Sequence, residues 1–239
     1  MAFFLYSLAV INKSQSGLTL LELAVVLVII GLLVGGLVAG QELVTGARVR
    51  NLLAQQDGVR TAYFGFVSRY GSPPGDYARA NTTIPAIDDA TEVCGLPSPN
   101  RGNGDGNQRI ELANGEFILA WEHLSRAGFI TGSYACTGNT VVNTTSVPIN
   151  PYGQYLQLIY DTVYAGAAGM YRHNLKTGGQ VPSYILGEAD RKIDDGNALL
   201  GSFRGSTYTT GDPTDPACWD SSTGAWSSGA ANCSAARLF

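Results

Sequence analysis

From Leu23 to Gly40 eighteen consecutive residues carry no charged side chain. A helix of that length crosses a hydrocarbon layer of about 30 Å, so the rest of the fold must accommodate one membrane pass. A cleaved secretory signal has a shorter apolar stretch with a small-residue cleavage site after it. Here the polar segment "NKSQSG", containing Lys13 and Gly17, comes before the run. Cutting after Gly17 would remove a leader and leave the whole apolar helix on the mature chain. Lys13 on one side and Arg48 and Arg50 beyond the other give only a weak charge bias across the span.

With that segment in view, "GLTLLELAVVLVIIGLL" resembles the class III signal of type IV pilins and of the pseudopilins of type II secretion. The resemblance implies that a membrane peptidase cuts after Gly17 and methylates the amine of Leu18, and that Glu22 is the family's glutamate at the fifth mature position. Leu18 stands where phenylalanine is usual, which keeps an apolar N-terminus. The apolar "MAFFLYSLAVI" ahead of the leader departs from the short basic leaders of the family, so initiation is expected nearer Val10. Orientation rests on this motif.

A carboxylate at the edge of such a helix costs about 2.5–3.5 kcal/mol to insert, so Glu22 is expected to have a partner. In a helical filament the Leu18 amine of a neighbouring subunit is a candidate counter-charge, in surroundings where attraction is strong and an unpaired charge expensive. A purely local role, at a helix start that favours acidic residues, accounts for the position of Glu22 but not for the cleavage glycine beside it. Gly31 and Gly35, and Gly36 and Gly40, recur four apart, a spacing that allows close helix approach. Each glycine also weakens the helix by about 1 kcal/mol relative to alanine.

The helical pattern continues past the apolar run. Leu52, Val59, Ala62, Tyr63, Phe66 and Tyr70 mark one face, with Arg48, Gln55, Gln56, Arg60 and Arg69 between them. A helix from Leu18 to Tyr70 would be about 80 Å long. "GSPPGDY" (71–77) ends it, because Pro73 and Pro74 cannot continue the hydrogen-bond ladder and Gly71 can cap it. The stretch "FVSRYGSPPGDYARA" also resembles the end of the long helix in pseudopilins.

The expected organisation is a leader (1–17), a long helix (18–70) with its membrane span at about 20–40, and an extracytoplasmic head (71–239). In the head, "NGEFILAWEHLSRAGFI" predicts a helix whose face is Phe117, Ala120, Trp121 and Leu124, with Glu122 and Arg126 paired and Gly128 as cap. "YLQLIYDTVYA", "GMYRHNL" and "SYILGE" are expected strands, rich in tyrosine and β-branched residues. The loop after Ile84 and the tail after Ser206 read as surface excursions. The fold class is α+β and pilin-like: a long helix packed on an antiparallel sheet.

Cys94, Cys136, Cys218 and Cys233 all follow the apolar run, and four cysteines allow three disulfide connectivities in an oxidising compartment. The local pairing, Cys94 with Cys136 and Cys218 with Cys233, is the expectation; its second bridge would bound a loop that resembles the disulfide-bounded region of pilins. Zinc is the alternative, but His123 and His173 lack ligand spacing. "NGDGNQRIE" offers Asn103, Asp105, Asn107 and Glu111 as oxygen ligands for Ca²⁺. Gln108 stands where an EF-hand needs glycine, and turn chemistry also explains the string. "KIDDGNALLG" offers Asp194 and Asp195, which a helix running out into a turn equally explains. No cofactor is expected, with calcium at these loops as the alternative to plain turn chemistry.

After residue 80 nine basic side chains face fifteen acidic ones, which argues against nucleic-acid binding by the head. No G-x-S-x-G, H-E-x-x-H or phosphate-cradling glycine loop is present, and Asp88 and Asp89 are adjacent loop carboxylates, so no enzymatic activity is expected. The resemblance implies a structural subunit, a pilin, minor pilin or pseudopilin, that polymerises into a type IV pilus or a secretion pseudopilus. Its implied partners are prepilin peptidase and methyltransferase, other pilin or pseudopilin subunits, an inner-membrane assembly platform, and membrane lipid before assembly. The implied location is the bacterial inner membrane, single pass, with the head in the periplasm or outside the cell. Tyr208, Trp219 and Trp226 in a glycine- and serine-rich tail carry the alternative, a low-copy tip adhesin or ligand-binding protein of the same build.

Overall fold

The computed structural model describes residues 19–87, 93–207 and 217–239. It divides the chain into two compact units, Met1–Val44 and Thr45–Phe239, and helix α1 (Leu20–Tyr70) contributes to both. In the first unit the described leucine, valine and isoleucine side chains between Leu20 and Leu37 are exposed all around the helix. That is the profile of a segment suited to lipid rather than to a protein core.

In the second unit α1 becomes amphipathic, burying Val49, Leu52, Val59, Ala62, Tyr63 and Phe66. Gln56, expected on the polar face, is fully buried instead, and neither atom of its amide has a hydrogen-bond partner. The packed stripe is therefore wider than apolar residue types alone mark. Tyr70 is the last helical residue. Gly71 then adopts a left-handed φ of 72° and its N–H bonds the Val67 carbonyl at 2.8 Å, ahead of the two prolines.

Beyond the turn lie a short helix α2 (Ala80–Thr83), a 3₁₀ turn (Ala113–Gly115), helix α3 (Glu116–Arg126), strands β1 (Gln157–Asp161) and β2 (Arg172–Lys176), helix α4 (Ser183–Ile193), and strands β3 (Phe203–Ser206) and β4 (Ser234–Leu238). The strands form one antiparallel sheet in the order β1-β2-β4-β3, with Leu158 opposite Leu175 and Phe203 opposite Arg237. One core joins Val59, Tyr63 and Phe66 of α1 to Phe117, Trp121 and Leu124 of α3 and to Leu158 and Leu175. A second joins Val49 and Leu52 to Ile185, Leu186 and Ala189 of α4 and to Phe203. The expected face of α3 is buried, but so is every residue from Glu116 to Leu124, because the helix is enclosed on all sides; Glu122 and Arg126 pair at 3.5 Å, and Gly128 follows the helix with φ 78°.

Three local expectations are corrected. "SYILGE" is the start of α4, not a strand. Six residues are too few to show a 3.6 period, but over the full helix Ile185, Leu186, Ala189 and Ile193 form the stripe that packs on α1 and β3. The tail after Ser206 is not merely a surface excursion, because β4 lies between β2 and β3 with every residue buried. Its "SAARL" sequence has low β-propensity, and burial between two strands overrides it. The loop after Ile84 likewise sends Ile87, Cys94 and Ile110 into the core.

Candidate functional site

Several loops of the head are held by buried carboxylates. Asp76, just after the turn that ends α1, accepts N–H bonds from Gly106 (2.8 Å), Asn107 (3.0 Å) and Gln108 (2.8 Å), and its Oδ2 accepts from Ser72 Oγ at 3.2 Å. Glu116, the first residue of α3, takes the N–H of Asp105 on one oxygen and that of Glu111 on the other, each at 3.0 Å. Burial pushes Asp76 up to about 6 and Glu116 up to about 7. Beside them His123 accepts the Gly75 N–H on Nδ1 at 2.9 Å. Its Nε2 must therefore carry the proton, donated to the Gly102 carbonyl at 2.9 Å. Burial holds this neutral imidazole down to about 4.

The oxygen-rich loop is only partly gathered. Asn107 Nδ2 donates to both Asp105 and Glu111 at 3.1 Å, whereas Asn103 turns away and accepts the Asn81 N–H of α2 at 2.9 Å. The carboxylates grouped with Asp105 are Asp76 and Glu116. At the other end of the head Asp194 and Asp195 follow α4 into a turn, as expected of a helix C-terminus, and Asp190 joins them. No local motif marks Asp76, whose backbone partners lie 30–32 residues away, or Glu116, whose partners lie 5 and 11 residues before it in an irregular loop. Asp190 was legible only with α4 read as a helix, where residues four apart share a face.

The structure bonds Cys94 to Cys136 and Cys218 to Cys233, with Cα separations of 5.9 and 5.7 Å. The second bridge bounds a loop whose two tryptophans meet edge to face, with ring centres 6.0 Å apart. Trp219 lies so close over Gly205 of β3 that a Cβ there would come within 2.6 Å of the ring, and Trp226 crowds Gly187 of α4 at 2.9 Å. Trp219, Asp220 and Trp226 border an open cleft of about 480 Å³.

At the start of α1, Thr19 and Glu22 form a reciprocal cap. The Thr19 N–H and Oγ1 donate to Glu22 Oε2 at 2.8 and 2.9 Å, and the Glu22 N–H returns a bond to Thr19 Oγ1 at 3.2 Å. An added Cβ at Gly31, Gly35, Gly36 or Gly40 would meet nothing within 4 Å among the described residues. α1 is long and apolar enough to cross a membrane. Residues 12–38, which contain the cap, match the family model of the prokaryotic N-terminal methylation motif.

The chain carries a class III prepilin signal. This is the signal of type IV pilins and pseudopilins; it supports a pilin-like protein that prepilin peptidase processes, and it implies assembly with other pilin subunits. The apolar helix behind the signal fits membrane anchoring. No curated protein and no solved structure matches the chain. Gly17 and Leu18 of the signal lie outside the described residues, as do Asp88, Asp89 and Tyr208.

Proposed function

We propose that the chain is a non-catalytic structural subunit of a type IV pilus or a type II secretion pseudopilus, anchored in the inner membrane by α1 until it is drawn into the filament. The observation that carries this reading is the prepilin signal at residues 12–38 leading into an apolar helix whose described leucine, valine and isoleucine side chains stay exposed. A face with no partner among the described residues fits lipid before assembly and neighbouring α1 helices after it. In this reading Gly17 is the scissile glycine, Leu18 supplies the methylated amine, and Glu22 receives the amine of a neighbour while keeping its Thr19 cap.

The test is mass spectrometry of the chain coexpressed with prepilin peptidase, followed by quantification in sheared filaments. An N-methylated Leu18 and many copies per filament are expected. An intact leader in the presence of active peptidase would overturn the reading.

A second reading, a low-copy tip adhesin, draws on the open cleft between Trp219 and Trp226. It predicts the same processing but about one copy per filament.

A further inference from the structure

Arg60 and Phe64 stand one turn apart on α1 and share a face. The Arg60 guanidinium lies 5.4 Å from the Phe64 ring centre, so the two form one projecting unit. Arg60 is exposed and takes part in no salt bridge among the described residues, and Phe64 is 46 % exposed. Tyr63 and Phe239 hold Phe64 from behind, with ring centres 5.3 and 5.8 Å away. The head thus presents an arginine over an aromatic ring, fixed in place and open to solvent.

The open cleft of about 480 Å³ bordered by Trp219, Asp220 and Trp226 has the complementary chemistry. Its walls are fixed. Trp219 lies on Gly205 and Trp226 on Gly187, the Trp226 indole N–H donates to Asp190 Oδ2 at 2.8 Å, and the Cys218–Cys233 bridge closes the base of the loop. Asp220 is exposed and takes part in no salt bridge among the described residues. Its Oδ1 accepts the Ser222 hydroxyl at 2.6 Å, the Ser222 N–H at 2.7 Å and the Thr223 N–H at 3.1 Å, bonds that hold its pKa below the ordinary carboxylate value. An ionised carboxylate beside indole rings suits a guanidinium, which bonds the carboxylate and stacks on the ring.

The two features lie at different levels of the head. Trp219 and Trp226 pack on the core that contains Val49 and Leu52 of α1, whereas Phe64 adjoins Tyr63, whose core contains Val59 and Phe66. From Leu52 to Phe64 the helix rises about 18 Å. Copies anchored by α1 in one membrane point the same way, so a neighbour displaced along the helix axis by that distance sets its Arg60 and Phe64 at the level of the cleft. We propose that the cleft of one copy receives Arg60 and Phe64 of a second copy, in a head-to-tail contact that rests on the filament reading above. Such a contact joins two different patches by a translation, so it propagates as an open polymer. A guanidinium and a ring enclosed by two tryptophans are the residue types that concentrate binding energy at an interface. The cleft then serves assembly rather than an external ligand.

The test is a charge swap in the full chain, coexpressed with its assembly machinery and counted by mass spectrometry in sheared filaments. Arg60→Glu and Asp220→Arg should each leave cleavage unchanged and lower incorporation at least tenfold. The double variant, with the charges exchanged, should recover to within about threefold of the parent. Asp220→Asn keeps the acceptor that Ser222 and Thr223 use, so it removes the charge without opening the turn; it should lower incorporation in the same direction, with a Tm within about 2 °C of the parent in detergent. Single variants that incorporate like the parent, or a double variant no better than the worse single one, overturn the contact and leave the filament reading standing. A parent that is cleaved but present at about one copy per filament, or not cleaved at all, overturns both.

Discussion

Arg237 of β4 bonds Asp57 of α1 at 2.6 Å, joining residues 180 apart in the sequence. The guanidinium side chain is 11 % exposed and the carboxylate 58 %. The pair is thus half sunk, with β4 the centrally bonded partner and α1 the outer one. Arg237→Ala should cost about 1–3 kcal/mol, because packing under the stem is lost as well as the ion pair. Asp57→Ala should cost less than about 1 kcal/mol, since its side is solvated. Urea unfolding of both variants and of the double variant checks the order, and equal costs would contradict it.

The two disulfides close loops of different span, 42 residues for Cys94–Cys136 and 15 for Cys218–Cys233. Loop-closure entropy makes replacement of the first by a serine pair cost about 4 kcal/mol and of the second about 3 kcal/mol. Denaturant midpoints of the two double variants give the comparison.

His123 gives acid unfolding a definite sign. Its folded pKa, about 4, lies below the ordinary 6.5, so its contribution is fully present above pH 6.5 and is lost as the pH falls through about 4. Protonating Nδ1 would also break the bond from the Gly75 N–H. His123→Gln can keep one acceptor and one donor without titrating. The stability of the parent relative to this variant should fall by about 3 kcal/mol between pH 6.5 and 4. A constant difference across that range would mean that His123 does not titrate with unfolding. Asp76 and Glu116 act in the opposite sense, with folded pKa values raised to about 6 and 7, so their contributions are lost as the pH rises through those values.

Gly205→Ala should destabilise the head by about 1–3 kcal/mol, because the new methyl would lie against the Trp219 ring with no free space. A red shift of tryptophan emission should accompany the loss as the ring is lifted from β3.

Glu22 separates processing from assembly. Gly17→Val should block cleavage, since a branched side chain obstructs the peptidase at the scissile bond. Glu22→Gln keeps the shape and capping capacity that Thr19 uses and deletes the charge, so cleavage should continue while filament incorporation falls at least tenfold. Normal incorporation of the glutamine variant would reduce Glu22 to its role at the helix start.

Much of this protein is determined within short windows of its sequence. The apolar run, the early Glu22, the amphipathic spacing from Leu52 to Tyr70, the proline stop and the α3 stripe are all consequences of local periodicity and chain stereochemistry. The tertiary structure alone decided that "SYILGE" is helical, that β4 is central, that Gln56 is buried, and that Asp190 completes a carboxylate group. For α4 and β4 the deciding neighbour is distant in sequence, α4 being fixed by its packing on α1 and β3 and β4 by strands on both sides, while Asp190 meets Asp194 one helical turn on once α4 is a helix. Local propensities differ by about 1 kcal/mol per residue or less, whereas burying one large side chain is worth about 1.5–3 kcal/mol, so the long-range contacts prevail wherever the two disagree.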